Sequence, residues 1–347
     1  MTVMPVREHA SRHDRIAELP LVTESATVVE REAMDRDRTE EVRNAVDHWF
    51  ERKGLADRYE RVTDYDDWGT LVEELRADGY AGFARRCATL LERYERPHPM
   101  LVRIALEPDD DFEYLAGQYV GLRYRGESRA YSLASSPTRD TVEICVRRVP
   151  GGDLSPRLCR DLRVGDEVTM RGPRGDLVLD GPSERDLVFM ATGTGVAPLK
   201  GMIDSVFDTG SDAVDGRSRD VWLFLGASWE DDLPYREAFR EYDRERDNFH
   251  FVPCLSRESY LSEWSGETDY VQHAFVKHVD ESAVTAPLGR ELERWLDEAP
   301  ASGVEARIDP GNAEVYACGI NVMVNSLVDA AESVGVPAER IEAEGFG

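Results

Sequence analysis

The spacing of apolar residues changes period twice along this chain, and each change narrows the folds open to it. Up to about residue 95 the apolar side chains recur at helical intervals: Val42, Ala45, Val46, Trp49 and Phe50, then Leu71, Val72 and Leu75, then Phe83, Cys87, Leu90, Leu91 and Tyr94. Gly54 and Gly79 read as interruptions or caps. From Arg96 the pattern shifts to short β-like runs at 101–106, 118–124, 130–134, 142–149, 167–171 and 177–179, separated by Gly, Pro and Asp. One short helix near 155–162 interrupts them. After Gly181-Pro182 strands alternate with helices: strands at 187–191, 221–226, 250–255 and 314–317, helices at 198–207, 235–244 and 322–334. The polar stretch 280–312 reads as a surface insertion with one helical piece at 288–296. These periods predict an α/β plus all-β chain in three parts. Residues 1–95 form a small helical region behind a mobile tail of roughly 20–35 residues. Residues 96–182 form a closed or nearly closed antiparallel barrel, and 183–347 a doubly wound parallel sheet.

Composition removes several classes of function. The 41% hydrophobic content supports real cores. The longest apolar runs, 187–191 and 221–225, are far below the ~20 residues of a membrane span, and the polar stretch 1–15 shows no leader or anchor, so a cytoplasmic enzyme is expected. With 42 basic and 69 acidic residues the formal charge is -27, which excludes a phosphate backbone as partner. An acidic interaction surface and adaptation to high salt both fit that charge; the second is favoured, because molar salt screens repulsion within ~3 Å. Cys87, Cys145, Cys159, Cys254 and Cys318 are scattered without a C-x-x-C pair, against zinc or a plant-type iron–sulfur cluster. No metal site is expected, and redox chemistry would need an organic cofactor. A haem role for His48, beside Trp49, is set aside in favour of a structural one.

Five segments carry chemistry. Arg129 can fork two donors onto a pyrophosphate, Tyr131 offers a flat face to a ring, and Ser132 can hydrogen-bond a ring nitrogen. Cys145-Val146-Arg147 followed by Gly151, Gly152 and Ser155 places a tight turn and a hydroxyl after a strand, a second spot suited to an anion. Thr192-Gly193-Thr194-Gly195-Val196-Ala197-Pro198 joins a strand to a helix, where glycines let phosphates approach the backbone; proline stands where the G-x-G-x-x-G fingerprint has its third glycine. Ser256 and Arg257 end the third strand of the sheet and suit a ribose 2′-phosphate, with Glu258 close enough to take a 2′-hydroxyl instead. Cys318-Gly319 closes a late strand, leaving room beside it for a nicotinamide ring.

In this order the segments resemble the ferredoxin–NADP⁺ reductase superfamily of flavin enzymes over roughly residues 96–347. Arg129, Tyr131 and Ser132 match its R-x-Y-S motif, which implies roles on the FAD pyrophosphate, on the isoalloxazine face and near N5. Gly152 and Ser155 are similar to its G-G-x-x-S phosphate element. Residues Gly193 to Pro198 resemble its nicotinamide-nucleotide loop, and Cys318-Gly319 its late Cys-Gly. Cys145-Val146-Arg147, the strand from Trp222 to Gly226 and Ser256-Arg257-Glu258 look closest to the plant-type branch, which implies NADP(H) over NAD(H). The resemblance departs in three places. The end Glu344-Gly345-Phe346-Gly347 is more like that of bacterial oxygenase reductases, with Phe346 over the flavin; the loop after Arg257 lacks a second basic residue; and residues 1–95 match no part of the family.

The resemblance implies hydride transfer between NAD(P)H and FAD, with Ser132, Cys318, Glu344 and Phe346 at the reacting rings, and one-electron exchange with a separate carrier such as a ferredoxin. The reductase component of an oxygenase is the alternative enzyme. A flavin-binding regulatory or assembly protein with vestigial turnover is the alternative of another class.

Overall fold

The structure, a computed structural model, describes residues 19–59, 65–179, 181, 183–285 and 287–346. The polar N-terminal stretch up to residue 18, the boundary residue Pro182 and the terminal Gly347 lie outside them.

The barrel has the six strands expected, but one has a different origin. Strand β1 (Val22–Ala33) precedes the helical segment, which comprises α1 (Thr39–Lys53), α2 (Ala56–Tyr59), α3 (Tyr65–Ala77) and α4 (Ala81–Tyr94). The chain then forms β2 (Leu101–Pro108), β3 (Tyr119–Tyr124), β4 (Glu127–Ser132), β5 (Val142–Arg147), α5 (Ser155–Arg160) and β6 (Glu167–Arg174). The order is β4-β3-β6-β1-β2-β5, antiparallel throughout. A bridge between Leu133 and Ile144 draws β4 toward β5 and nearly closes the barrel. β1 lies between β6 and β2, so residues 22–33, expected in a mobile tail ahead of the helices, are instead a central barrel strand. Only Ala26 and Val28 of β1 are fully buried, and charges at Glu24, Glu30, Arg31 and Glu32 hide the strand's alternation. The expected strand at 177–179 does not form. Leu177 packs instead into the core shared with the second domain, where side-chain burial, not a ladder, places it.

The helices follow the predicted spacing. Val42, Val46, Phe50, Leu71, Leu75, Phe83, Cys87 and Leu90 form one buried cluster, joined by Trp229 from the second domain. Gly54 ends α1 in the left-handed conformation, φ 68°. His48 is exposed on α1.

The second domain is a parallel sheet of β7 (Asp186–Thr192), β10 (Val221–Ala227), β11 (Phe249–Leu255), β12 (Ala313–Ile320) and β13 (Ile341–Phe346), in the order β11-β10-β7-β12-β13. A two-stranded hairpin, β8 (Ala213–Val214) and β9 (Arg217–Ser218), precedes β10. The connecting helices are α6 (Val196–Asp208), α7 (Arg236–Glu245), α8 (Val271–Lys277), α9 (Arg290–Leu296) and α10 (Asn321–Val334). Two apolar clusters cover the two faces of the sheet. The stretch 280–312 is more than a surface insertion: Leu288, Leu292 and Trp295 pack against the second cluster.

Barrel and sheet are locked through α6. A Cβ at Gly201 would lie 2.8 Å from the Leu133 carbonyl and 2.9 Å from that of Ser135, so only glycine lets α6 sit this close to the barrel. Next to it the buried Lys200 donates to Asp204 at 2.8 Å and to the Ala134 carbonyl at 3.1 Å, and lies 3.3 Å from Glu143 of β5. A buried cation with this many partners fixes one orientation of the domains.

Candidate functional site

A cavity of about 580 Å³ lies where the barrel meets the sheet, lined by Tyr119, Arg129, Tyr131, Ser132, Cys145, Arg147, Gly152 and Ser155 from the barrel and by Thr194, Ala197, Glu344, Gly345 and Phe346 from the sheet. The sheet's contribution comes from the carboxyl ends of β7 and β13, the edge where ligands bind in such folds. Its volume falls in the range of cofactor sites.

On the barrel wall, strand alternation decides which motif residues face the cavity. Cys145 and Arg147 line it, whereas Val146 points into the barrel core and contributes backbone alone. Arg129 is held lightly: Nη1 donates to the Ser128 carbonyl at 2.8 Å and Nη2 lies 3.4 Å from Asp153. Burial pushes the Tyr131 phenol up, keeping its ring neutral. Ser132 pairs in register with Tyr119, which brings a second aromatic ring to the same wall. The Ser155 hydroxyl oxygen accepts the Val149 N–H at 3.0 Å, which closes the turn around Gly152 and leaves the hydroxyl proton to donate. Two guanidiniums, two hydroxyls and two aromatic rings on one wall fit a planar ring carried on phosphates.

On the sheet side, glycines serve two purposes. Gly193 has φ +52° with open space around it, so its backbone is accessible. Gly195 and Gly319 are instead demanded by the protein itself. A Cβ at Gly195 would lie 2.4 Å from the Cys318 carbonyl oxygen, and one at Gly319 would lie 2.7 Å from Thr192 Oγ1. This junction brings Thr192, Gly195, Cys318 and Gly319 together behind the cavity. Val196, Pro198 and Cys318 are buried, and their side chains do not line it. Burial also pushes the Cys318 thiol up, so it stays uncharged. Its register partner on β13 is Glu344, which does line the cavity. Burial, helped by Asp176, raises the Glu344 carboxyl above its ordinary value and favours its protonated form. Phe346 is half exposed at the rim.

Ser256 and Arg257 lie outside this cavity, beyond the end of β11 and two strands from β7. Glu258 cannot take a ribose hydroxyl as expected. It is fully buried, accepting from Arg38 at 2.9 Å on each carboxylate oxygen and from the Glu230 N–H at 2.8 Å. Arg38 also reaches Asp231 at 3.2 Å, Arg93 pairs with Asp231, and Arg96 with Asp232. Arg147, on the cavity wall, lies 3.7 Å from Asp232. A buried charge network therefore docks the helices onto the sheet's carboxyl edge and reaches the cavity. Sequence reasoning missed it, along with Tyr119 and Asp153. Tyr119 falls inside the predicted strand 118–124 and Asp153 inside the Gly151–Ser155 turn, but no local signal marks the buried charge pairs. Among the described residues no group of His, Cys, Asp and Glu is arranged to hold a metal ion, and no helix is long and apolar enough to cross a membrane.

Comparison with known proteins agrees with this geometry. Residues 97–179 match the oxidoreductase FAD-binding domain, and residues 189–329 the oxidoreductase NAD-binding domain. Ferredoxin–NADP reductase B of Sorangium cellulosum is 34% identical over 256 residues, covering 72% of this chain and 92% of that protein. The reductase component DmpP of a Pseudomonas phenol 2-monooxygenase is 34% identical over 185 residues, 52% of this chain and 51% of that one. Among solved structures, the Amycolatopsis cytochrome P450 reductase GcoB superposes with a TM-score of 0.61 at 25% identity, covering 94% of this chain and 71% of that chain. The chain spans between 51% and 62% of the length of several curated relatives it matches, including the monooxygenase reductase components. A barrel that matches an FAD-binding domain, a sheet that matches an NAD-binding domain and a relative matched over nearly its whole length place this chain in the ferredoxin–NADP⁺ reductase superfamily.

Proposed function

We propose that this chain is an FAD-dependent NAD(P)H oxidoreductase exchanging electrons with a separate one-electron carrier, as a ferredoxin–NADP⁺ reductase does. The observation that carries the reading is the cavity of about 580 Å³ lined by both nucleotide-binding domains, with Ser132 and Tyr131 on one wall and Thr194, Glu344 and Phe346 on the other. A flavin held in this cavity would supply the chemistry, accepting hydride from a nicotinamide and passing electrons on one at a time. The chain's own residues do the rest. Arg129 and Arg147 offset phosphate charge, the Gly152–Ser155 turn adds a hydroxyl donor, and Tyr131 offers its ring face. Ser132 supplies a hydroxyl at the reacting end, Glu344 brings a carboxyl whose hold on a proton burial strengthens, and Phe346 stands at the rim. The scattered, buried cysteines leave the one-electron carrier outside the described residues.

Ser256 and Arg257 favour NADP(H), by about tenfold, ~1.4 kcal/mol. The charge of -27 favours a cytoplasmic protein adapted to high salt, whose thermal midpoint rises with added KCl. A second reading, the reductase component of an oxygenase, is supported by the similarity to DmpP. Incubating the protein with NADPH and a panel of ferredoxins or oxygenase components discriminates the two. Rapid reduction of a soluble ferredoxin supports the first, and reduction confined to an oxygenase component supports the second. A protein that binds flavin and reduces neither is the regulatory alternative.

A further inference from the structure

The helix α4 lies along the turn that follows β11. Its Glu92 carboxylate is 3.6 Å from Arg257 Nη1, and the Arg86 guanidinium stands 5.7 Å from the ring centroid of Tyr260. Arg257 and Tyr260 belong to one tight turn, since the Tyr260 N–H donates to the Arg257 carbonyl at 2.9 Å. Trp49 of α1 and Trp229 meet the same ring edge-on, at 6.1 and 6.5 Å, so the helices hold the turn in place. The turn's other acid, Glu258, is already neutralised by Arg38. Arg86 itself is exposed, and its cation is available.

By sequence, the loop after Arg257 has no second basic residue. By fold, α4 brings one to it. We infer that the helical segment completes the nucleotide's 2′-phosphate subsite: Arg86 and Arg257 are its two cations, and Glu92 is the counter-charge that a 2′-phosphate displaces from Arg257. A nucleotide with a free 2′-hydroxyl leaves the Glu92–Arg257 pair intact and gains nothing from Arg86. The choice between NADP(H) and NAD(H) is thereby set partly by helices that lie outside both matched domains. This rests on the nucleotide reading proposed above.

The test compares 2′,5′-ADP with 5′-ADP, which differ by the 2′-phosphate alone, binding to the full FAD-loaded chain by calorimetry at one fixed salt concentration. Arg86→Ala should weaken 2′,5′-ADP about tenfold, the loss of one charge-assisted contact, and leave 5′-ADP unchanged. Arg86→Lys should recover most of that loss. Glu92→Gln should tighten 2′,5′-ADP about threefold, the scale of one exposed ion pair. If Arg257→Ala weakens 2′,5′-ADP while the Arg86 and Glu92 variants do not alter it, the role of the helices is overturned and the loop assignment stands. If Arg257→Ala is also without effect, the nucleotide reading of this sheet edge falls with it.

Discussion

Removing Arg38 should release the helical segment from the sheet. Its side chain is 1% exposed and holds both oxygens of Glu258 at 2.9 Å and Asp231 at 3.2 Å. Arg38→Ala leaves Glu258 buried without its cation, while Arg93 still serves Asp231. Breaking a buried pair by deleting one partner costs about 3–5 kcal/mol, and the wild-type apolar contacts of Trp229 and Tyr260 remain to oppose undocking. The cost should therefore appear as local release before global unfolding. Urea titration followed by tryptophan emission, with limited proteolysis across residues 35–95, reads both events. The pH dependence gives a second handle. Burial acts to raise the Glu258 carboxyl, but the Arg38 hydrogen bonds and the Glu230 N–H outweigh it and hold it below its ordinary value. Its contribution is thus present above the unfolded-state value of about 4.3 and lost as pH falls through the lower folded one. In Arg38→Ala the uncompensated carboxyl is raised instead, so the penalty should shrink as acid protonates it. A variant within about 1 kcal/mol of wild type at neutral pH, with an unchanged cleavage pattern, would refute the docking role of this pair.

Four further outcomes are expected. Gly195→Ala must move the loop from the Cys318 carbonyl, a backbone obstacle 2.4 Å away, and should cost about 1–3 kcal/mol by thermal unfolding. It should also slow flavin reduction by NAD(P)H more than it lowers flavin content. Arg129→Ala should lose FAD on dialysis at fixed salt, since it removes a charge-assisted contact worth about 1.5–3 kcal/mol before screening. Glu344→Gln should be more stable than wild type at neutral pH, because wild type must ionise a carboxyl whose value burial has raised; the difference should vanish below about pH 4, where both side chains are neutral. Deleting residues 1–34 should abolish flavin binding and soluble expression, because β1 pairs with both β6 and β2. Excising the helices alone with a linker should retain flavin.

The parts of this fold that are legible in sequence are those whose burial is periodic. The apolar runs of β7 and β10, and the stripe Val42, Val46 and Phe50 of α1, report their own environment. β1 does not, because only two of its twelve residues are fully buried. In the site, residue type showed which segments matter, but not which side chains face the cavity. Arg129, Tyr131 and Ser132 do, and so do Cys145 and Arg147, while Val146 between them cannot. Gly195 and Cys318 match a ligand motif yet meet each other. The ties from Arg38 to Asp231 and Glu258 span 193 and 220 residues, and nothing local in either segment records them.

Anaerobic stopped-flow mixing of the FAD-loaded protein with NADPH, at the salt concentration that gives maximal stability, tests the shared cavity most directly. The account predicts rapid, stoichiometric loss of the flavin's visible absorbance, and a reduction rate that Ser132→Ala lowers far more than it weakens nucleotide binding. A flavin that stays oxidised in the presence of saturating NADPH and NADH, in protein that retains its FAD, would contradict it.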